Sequence, residues 1–145
     1  MQVFLDTSVL VAASEISHPH HAQALPVLRR VAKGEDNGSI GVHSIAETYA
    51  ALTRLPIQPR IHPGEAGRII RDNILKHFTL VPAGEAEYLH ALAAVQDSGW
   101  AGAKIYDALL LACAARSGAE RIYTFNVGDF RGLAPAELQA RICSP

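Results

Sequence analysis

Charge is scarce in this chain. Only 19% of its residues are Asp, Glu, Lys or Arg, and the formal net charge is −1. A molecule-wide positive field of the kind that gathers nucleic acid is thereby excluded, so any nucleic-acid surface has to be local. Cysteine is nearly absent. Cys113 sits in an apolar helical run and Cys143 near the C-terminus, which suits reduced packing residues and not a disulfide framework. Tryptophan occurs once, as Trp100 in Gly99-Trp100-Ala101-Gly102. A lone indole can stack a nucleobase, but it more often packs into a core, and Trp100 is left outside the site. Long apolar runs are missing too: the stretch Ile105 to Ala115 is broken by Asp107 and is too short to cross a bilayer. Val3-Phe4-Leu5 follows Met1 almost at once, with neither a basic leader nor a small-residue cleavage site, so a cytoplasmic location is expected.

What is abundant is apolar side chain. At 145 residues and 49% hydrophobic content the chain can bury one core, which predicts a single domain over residues 1–145. Gln2 to Leu5 reads as a buried strand ending at Asp6, with a helix from Thr7 to Ala13. His18-Pro19-His20-His21 opens a second helix that runs to Gly34. Ser39 to Val42 is a short strand, and His43 begins a helix that Pro56 stops. A helix over about 64–77 leads into a strand over 78–81, and another helix covers 84–98. Lys104 to Ser117 is a very apolar helix closed by Gly118. Arg121 to Thr124 is the next strand, Asn126 to Gly132 a loop, Ala136 to Ala140 a helical turn and Arg141 to Cys143 an edge strand. Short apolar strands alternating with helices predict an α/β sandwich with a mainly parallel sheet. In such sheets ligands gather beyond the carboxyl ends of the strands, where Asp6 and the 126–129 segment fall.

Four acids stand in apolar or strand-end settings: Asp6, Glu47, Asp107 and Asp129. Each has an ordinary structural role open to it. Asp6 can cap the helix that follows, and Glu47 completes a capping box with Ser44 in Ser44-Ile45-Ala46-Glu47. Asp129 can accept a backbone hydrogen bond in an Asn-Val-Gly-Asp turn. Asp107, amid Ile105-Tyr106 and Ala108-Leu109-Leu110-Leu111, is hardest to account for unless its helix starts one residue later. A buried carboxylate there needs a donor, a cation or a cleft. Should the four converge, each pair at about 4 Å would repel by roughly 4 kcal/mol at an effective dielectric near 20. A divalent cation or raised pKa values must relieve that. Hard oxygen donors suit Mg²⁺ or Mn²⁺, and phosphodiester hydrolysis is the chemistry such an ion supports.

The segments Phe4-Leu5-Asp6-Thr7-Ser8-Val9-Leu10-Val11, Ser44-Ile45-Ala46-Glu47, Ile105-Tyr106-Asp107-Ala108-Leu109-Leu110 and Tyr123-Thr124-Phe125-Asn126-Val127-Gly128-Asp129-Phe130 resemble, in order, the signatures of PIN domains. Within that family the short length and the Tyr-Asp-Ala-Leu segment resemble VapC-type toxins of toxin–antitoxin pairs. The resemblance implies a three-layer α/β/α fold in which Asp6, Glu47, Asp107 and Asp129 line one pocket. It further implies a Mg²⁺- or Mn²⁺-dependent endoribonuclease that leaves 5′-phosphate and 3′-hydroxyl ends. Asp6 and Asp107 would hold the main ion, Glu47 and Asp129 its waters or a weaker second ion, and Thr124 and Asn126 would support the pocket. A homodimer and an antitoxin lying across the active-site groove are also implied. One departure is Asn126, where some relatives carry an acid, which puts a second metal position in doubt.

Other readings stay in view. A DNA-directed or RNA-maturation nuclease of the same fold, and a non-catalytic PIN-fold binding module, use the same residues differently. Aspartyl-phosphate enzymes place a second acid two residues after the first, where this chain has Ser8. His18, His20 and His21 lack a matching cysteine or distant ligand for zinc. Between Arg54 and His77, Arg54, Arg60, Arg68, Arg71 and Lys76 outnumber Glu65 and Asp72, which marks either a basic face or a solvated helix surface.

Overall fold

A computed structural model describes all 145 residues, Met1–Pro145. Five short strands form one sheet: β1 (Gln2–Leu5), β2 (Asn37–Gly41), β3 (Thr79–Val81), β4 (Arg121–Tyr123) and β5 (Ile142–Cys143). Their order is β3-β2-β1-β4-β5 and every pair is parallel. Parallel neighbours need crossover connections, and the helices that supply them cover both faces of the sheet.

β1 shows how the layers are assigned. Alternate side chains of a strand point to opposite faces, so Val3 and Leu5 enter one core while Phe4 enters the other. The first core is closed by α1 (Thr7–Ser14), α2 (His21–Ala32), α3 (His43–Arg54) and α4 (Pro63–Ile69), the last continuing as a wide π-helical turn over Ile70–Leu75. The second is closed by α5 (Glu85–Ser98), α6 (Lys104–Ser117), α7 (Val127–Leu133) and α8 (Ala136–Gln139). The α/β sandwich expected from the strand–helix alternation, and the three-layer α/β/α arrangement that the resemblance implies, are therefore present. At Gly41 a Cβ would stand 2.8 Å from Leu110 Cδ2, so the Leu110 side chain of α6 packs directly onto the end of β2. No helix is long and apolar enough to cross a membrane.

The structure departs from the sequence reading at several points. The segment read as a loop over 126–132 contains helix α7, with Phe130 and Leu133 buried three residues apart on one face. Gly128 and Gly132 signal a turn, but sealing the second core with a phenylalanine outweighs a helix cost of about 1 kcal/mol per glycine. β2 starts at Asn37, two residues early, and α2 starts at His21 instead of His18.

Within the first core's helices, the buried hydroxyl of Thr48 on α3 has no hydrogen-bond partner. Removing an unsatisfied buried hydroxyl without changing side-chain shape is favourable. Thr48→Val is expected to stabilise the fold by about 1 kcal/mol, read as a higher urea midpoint with an unchanged slope.

Along the chain, β1, β2 and β3 step outward on one side of the sheet, after which β4 and β5 are laid on the other side of β1. The winding reverses at β1, so a crevice opens beyond the carboxyl ends of β1 and β4. Asp6 follows β1 and Thr124 follows β4.

Candidate active site

The backbone N–H of Asp6 donates to the Tyr123 carbonyl at 2.9 Å, carrying the β1–β4 pairing one residue past the strand ends. Its side chain is 3% exposed. Asp6 Oδ2 accepts the Ser8 hydroxyl at 2.7 Å and the Thr124 hydroxyl at 2.8 Å. Those hydroxyls are themselves held, Ser8 Oγ by the Phe125 N–H at 3.1 Å and Thr124 Oγ1 by the Asn126 N–H at 3.0 Å. The network orients one carboxylate oxygen, Oδ2, and the backbone N–H groups of Ser8 and Thr7 also favour the charged form of the carboxylate. Asp6 occupies the N-cap position of α1, yet its carboxylate makes no capping hydrogen bond, so the capping alternative is set aside. Burial pushes its pKa up, opposed by the hydroxyl donors.

Glu47 also does something other than cap. α3 begins at His43, which places Ser44 inside the helix, buried, with no side-chain cap formed. The capping box read from Ser44-Ile45-Ala46-Glu47 is therefore not made, because a local pattern lost to a partner from another element. Thr7 Oγ1 donates to Ser44 Oγ at 3.1 Å and lies 3.4 Å from Glu47 Oε1. His43 Nε2 stands 3.6 Å from the same oxygen, and its ring stacks on Tyr106 at 5.0 Å between centroids. The Glu47 carboxyl is pushed up to about 7, first by burial and then by the charge of Asp6, with Thr7 opposing.

Asp107 lies in the first turn of α6, which begins at Lys104, so it is no cap either. Half-buried, it is pushed up to about 7 by burial and then by Asp6, Asp129 and Glu47, against the pull of Lys104. Asp6 thus acts on both Glu47 and Asp107, and Asp107 also feels Glu47 and Asp129, which marks an acidic notch where the end of β1 meets α3, α6 and α7. Asp129 stands in the first turn of α7, not in a turn of the Asn-Val-Gly-Asp kind, and its carboxylate is ion-paired with the Lys104 ammonium. Asn126 is exposed and joins the network through its backbone N–H alone.

The donor set is oxygen throughout, and no three His, Cys, Asp or Glu side chains gather closely enough to cage an ion unaided. A set of oxygen donors suits Mg²⁺ or Mn²⁺, which take one or two carboxylates and complete their shell with water and phosphate. Carboxyls raised by burial and then by neighbouring acids are the kind that a divalent cation would discharge. The largest concavity lies elsewhere: an open apolar groove of about 720 Å³ between α3 and α4, lined by Val42, Ile45, Tyr49, Pro63, Ile70 and Leu75. It is lined by no carboxylate, so the chemistry is assigned to the shallower acidic notch.

Residues 3–134 match the PIN domain family. Ribonuclease VapC27 of Mycobacterium tuberculosis is 32% identical over 116 residues, covering 80% of this chain and 79% of the relative. The chain is a PIN-domain protein of the VapC type. Ribonuclease VapC40 of the same organism is 34% identical over 119 residues, covering 79% of this chain and 80% of the relative. Among solved structures, M. tuberculosis VapC20, described as a sarcin–ricin loop cleaving toxin, superposes with a TM-score of 0.72 at 18% identity, covering 93% of this chain and 97% of that one. FitAcB of Neisseria gonorrhoeae gives 0.65 at 17% identity, covering 90% and 92%. At those identities the structures speak for the fold, which is the PIN fold.

Sequence reasoning about this VapC-type chain named the four acids and Thr124, and missed the groups that hold them. Ser8 is the clearest omission, since its place two residues after Asp6 was noted only as the lack of an acid. Ser44 carries the signal of a cap that is not made, while Thr7 and Lys104 carry none, because their partners come from other elements. The remaining candidates have structural work: His20 stacks on Phe125 at 4.4 Å and His21 Nδ1 meets the Ala12 carbonyl at 2.9 Å. Trp100 is partly buried against the second core. The basic residues from Arg54 to Lys76 are exposed, with Lys76 paired to Asp72 at 3.2 Å.

Proposed function

We propose that this chain is a Mg²⁺- or Mn²⁺-dependent endoribonuclease, the toxin of a toxin–antitoxin pair. The observation that carries the reading is that Asp6, beside the reversal point of the sheet, acts on both Glu47 and Asp107, each raised to about 7. Similarity to proteins named ribonucleases over four-fifths of the chain supports RNA as the substrate. Asp6 and Asp107 would hold the ion; Glu47 and Asp129 would bind its waters.

When bound, the ion lowers the pKa of a water and neutralises charge on the phosphoryl oxygens. Ser8 and Thr124 fix Asp6 Oδ2 and so hold in place the carboxylate that would bind the ion. Glu47, poised near neutral pH, accepts the proton of the attacking water. A bond forms from the water oxygen to phosphorus, the bond from phosphorus to O3′ breaks, and O3′ leaves with a proton from solvent. The products are a 5′-phosphate and a 3′-hydroxyl, with no covalent enzyme intermediate. An antitoxin protein covering the notch would silence the activity, and a homodimer in the cytoplasm is the expected form.

Incubating the purified chain with end-labelled single-stranded RNA and matched DNA, in Mn²⁺ or in EDTA, tests this. RNA cut only with the metal and bearing 5′-phosphates is the expected result. RNA bound but never cut would replace the enzyme with a binding module, and preferential cutting of DNA would redirect the substrate.

A further inference from the structure

Lys104 is the one cation seated in the acidic notch, and it is held there from two sides. It opens α6 one turn before Asp107, so the two side chains share a helix face. Its ammonium pairs with Asp129 and lies 5.2 Å from the centroid of the Trp100 ring. Both of those partners are tied to α7. Asp129 belongs to that helix, and a Cβ at Gly132 would stand 3.0 Å from Trp100 Cζ2, so the indole packs closely against α7 where position 132 is glycine. A flexible lysine is thereby given a fixed address on the Asp129 side of the pocket.

We propose that the Lys104 ammonium takes the place of a second divalent ion, so that this centre accepts one cation, at Asp6 and Asp107, with Lys104 as a fixed positive group for the substrate phosphate. The inference rests on reading the notch as a nuclease centre. Its physical basis is charge and space. Asp129 is already neutralised by contact with the ammonium, which removes much of the attraction that a second ion would feel. A divalent ion at Asp129 would also meet the ammonium at close range, a like-charge encounter stronger than that of two monovalent groups. An ammonium has more N–H donors than Asp129 uses, and the remainder are available to phosphoryl oxygens.

Titration of the free protein with Mn²⁺, followed by electron paramagnetic resonance in the absence of RNA, separates the possibilities. The wild type is expected to take one Mn²⁺. Lys104→Met keeps the aliphatic stem against Trp100 and is expected to gain a second Mn²⁺, while Lys104→Arg is expected to stay at one; circular dichroism checks that both are folded. RNA cleavage should fall by about a hundredfold in Lys104→Met, the scale for losing one positioned donor, and recover in part in Lys104→Arg. Two Mn²⁺ of similar affinity in the wild type, or a single Mn²⁺ in folded Lys104→Met, would overturn the inference and leave the nuclease reading standing. A wild type that binds no Mn²⁺ would overturn the nuclease reading and this inference with it.

Discussion

Replacing Asp6 by Asn is expected to leave a folded protein that cuts RNA at least about a thousandfold more slowly, the several kcal/mol that metal-assisted charge stabilisation supplies. The side-chain oxygen of Asn can still accept the Ser8 and Thr124 hydroxyls that hold Asp6 Oδ2 at 2.7 and 2.8 Å. What disappears is the charge at a position 3% exposed, where burial already disfavours the ionised form. The substitution therefore costs the fold little and raises its stability at alkaline pH, where the native carboxylate would have to stay charged without a cation. Initial rates of RNA cleavage in Mn²⁺, with circular dichroism on the same samples, check both halves. An Asp6→Asn protein that is folded and cuts at the parental rate removes Asp6 from the ligand set, and the proposed mechanism with it.

The second large effect is a stability that falls with pH and is restored by metal. Glu47 and Asp107 have ordinary values of 4.5 and 3.8, and the fold raises both to about 7. With folded values above unfolded ones, the native state binds more protons than the unfolded chain between those limits, so unfolding becomes easier as pH rises. The stabilisation is complete below about pH 4 and is lost as pH passes through 7. Solvent reaches both side chains and trims the effect. In EDTA the melting temperature is expected to drop by about 5 °C from pH 5 to pH 8, at roughly 2–4 °C per kcal/mol for a chain of this size. Excess Mn²⁺ should flatten the profile, because the cation replaces the protons as the neutralising charge and binds the folded state only. Asp107→Asn should flatten it in EDTA as well. A melting temperature that rises over this range in EDTA would mean that the acids do not share a field.

These expectations follow from groups that were legible to very different degrees in the primary structure. Asp107 is the most legible: a carboxylate in an otherwise apolar helix has to face a cleft, a donor or a cation, and the pattern shows it without a fold. Glu47 is the least, because Ser44-Ile45-Ala46-Glu47 fits a local capping pattern that the helix, starting at His43, does not use. For Asp129 the Asn-Val-Gly-Asp pattern offers a turn as the structural alternative, whereas burial of Phe130 draws the segment into α7.

The order of strands and helices, the boundaries of α6 at Lys104 and Gly118, and the identity of the four acids are properties of the linear chain, since each depends on side-chain periodicity and capping over a few residues. That the Thr124 hydroxyl reaches Asp6 across 118 residues, and that Lys104 meets Asp129 and not Asp107, follow only from packing. The sheet order places β4 directly against β1, and that adjacency turns scattered carboxylates into one mutually repelling site. Local propensity cannot encode it, because strand order is decided by which buried faces close the two cores together.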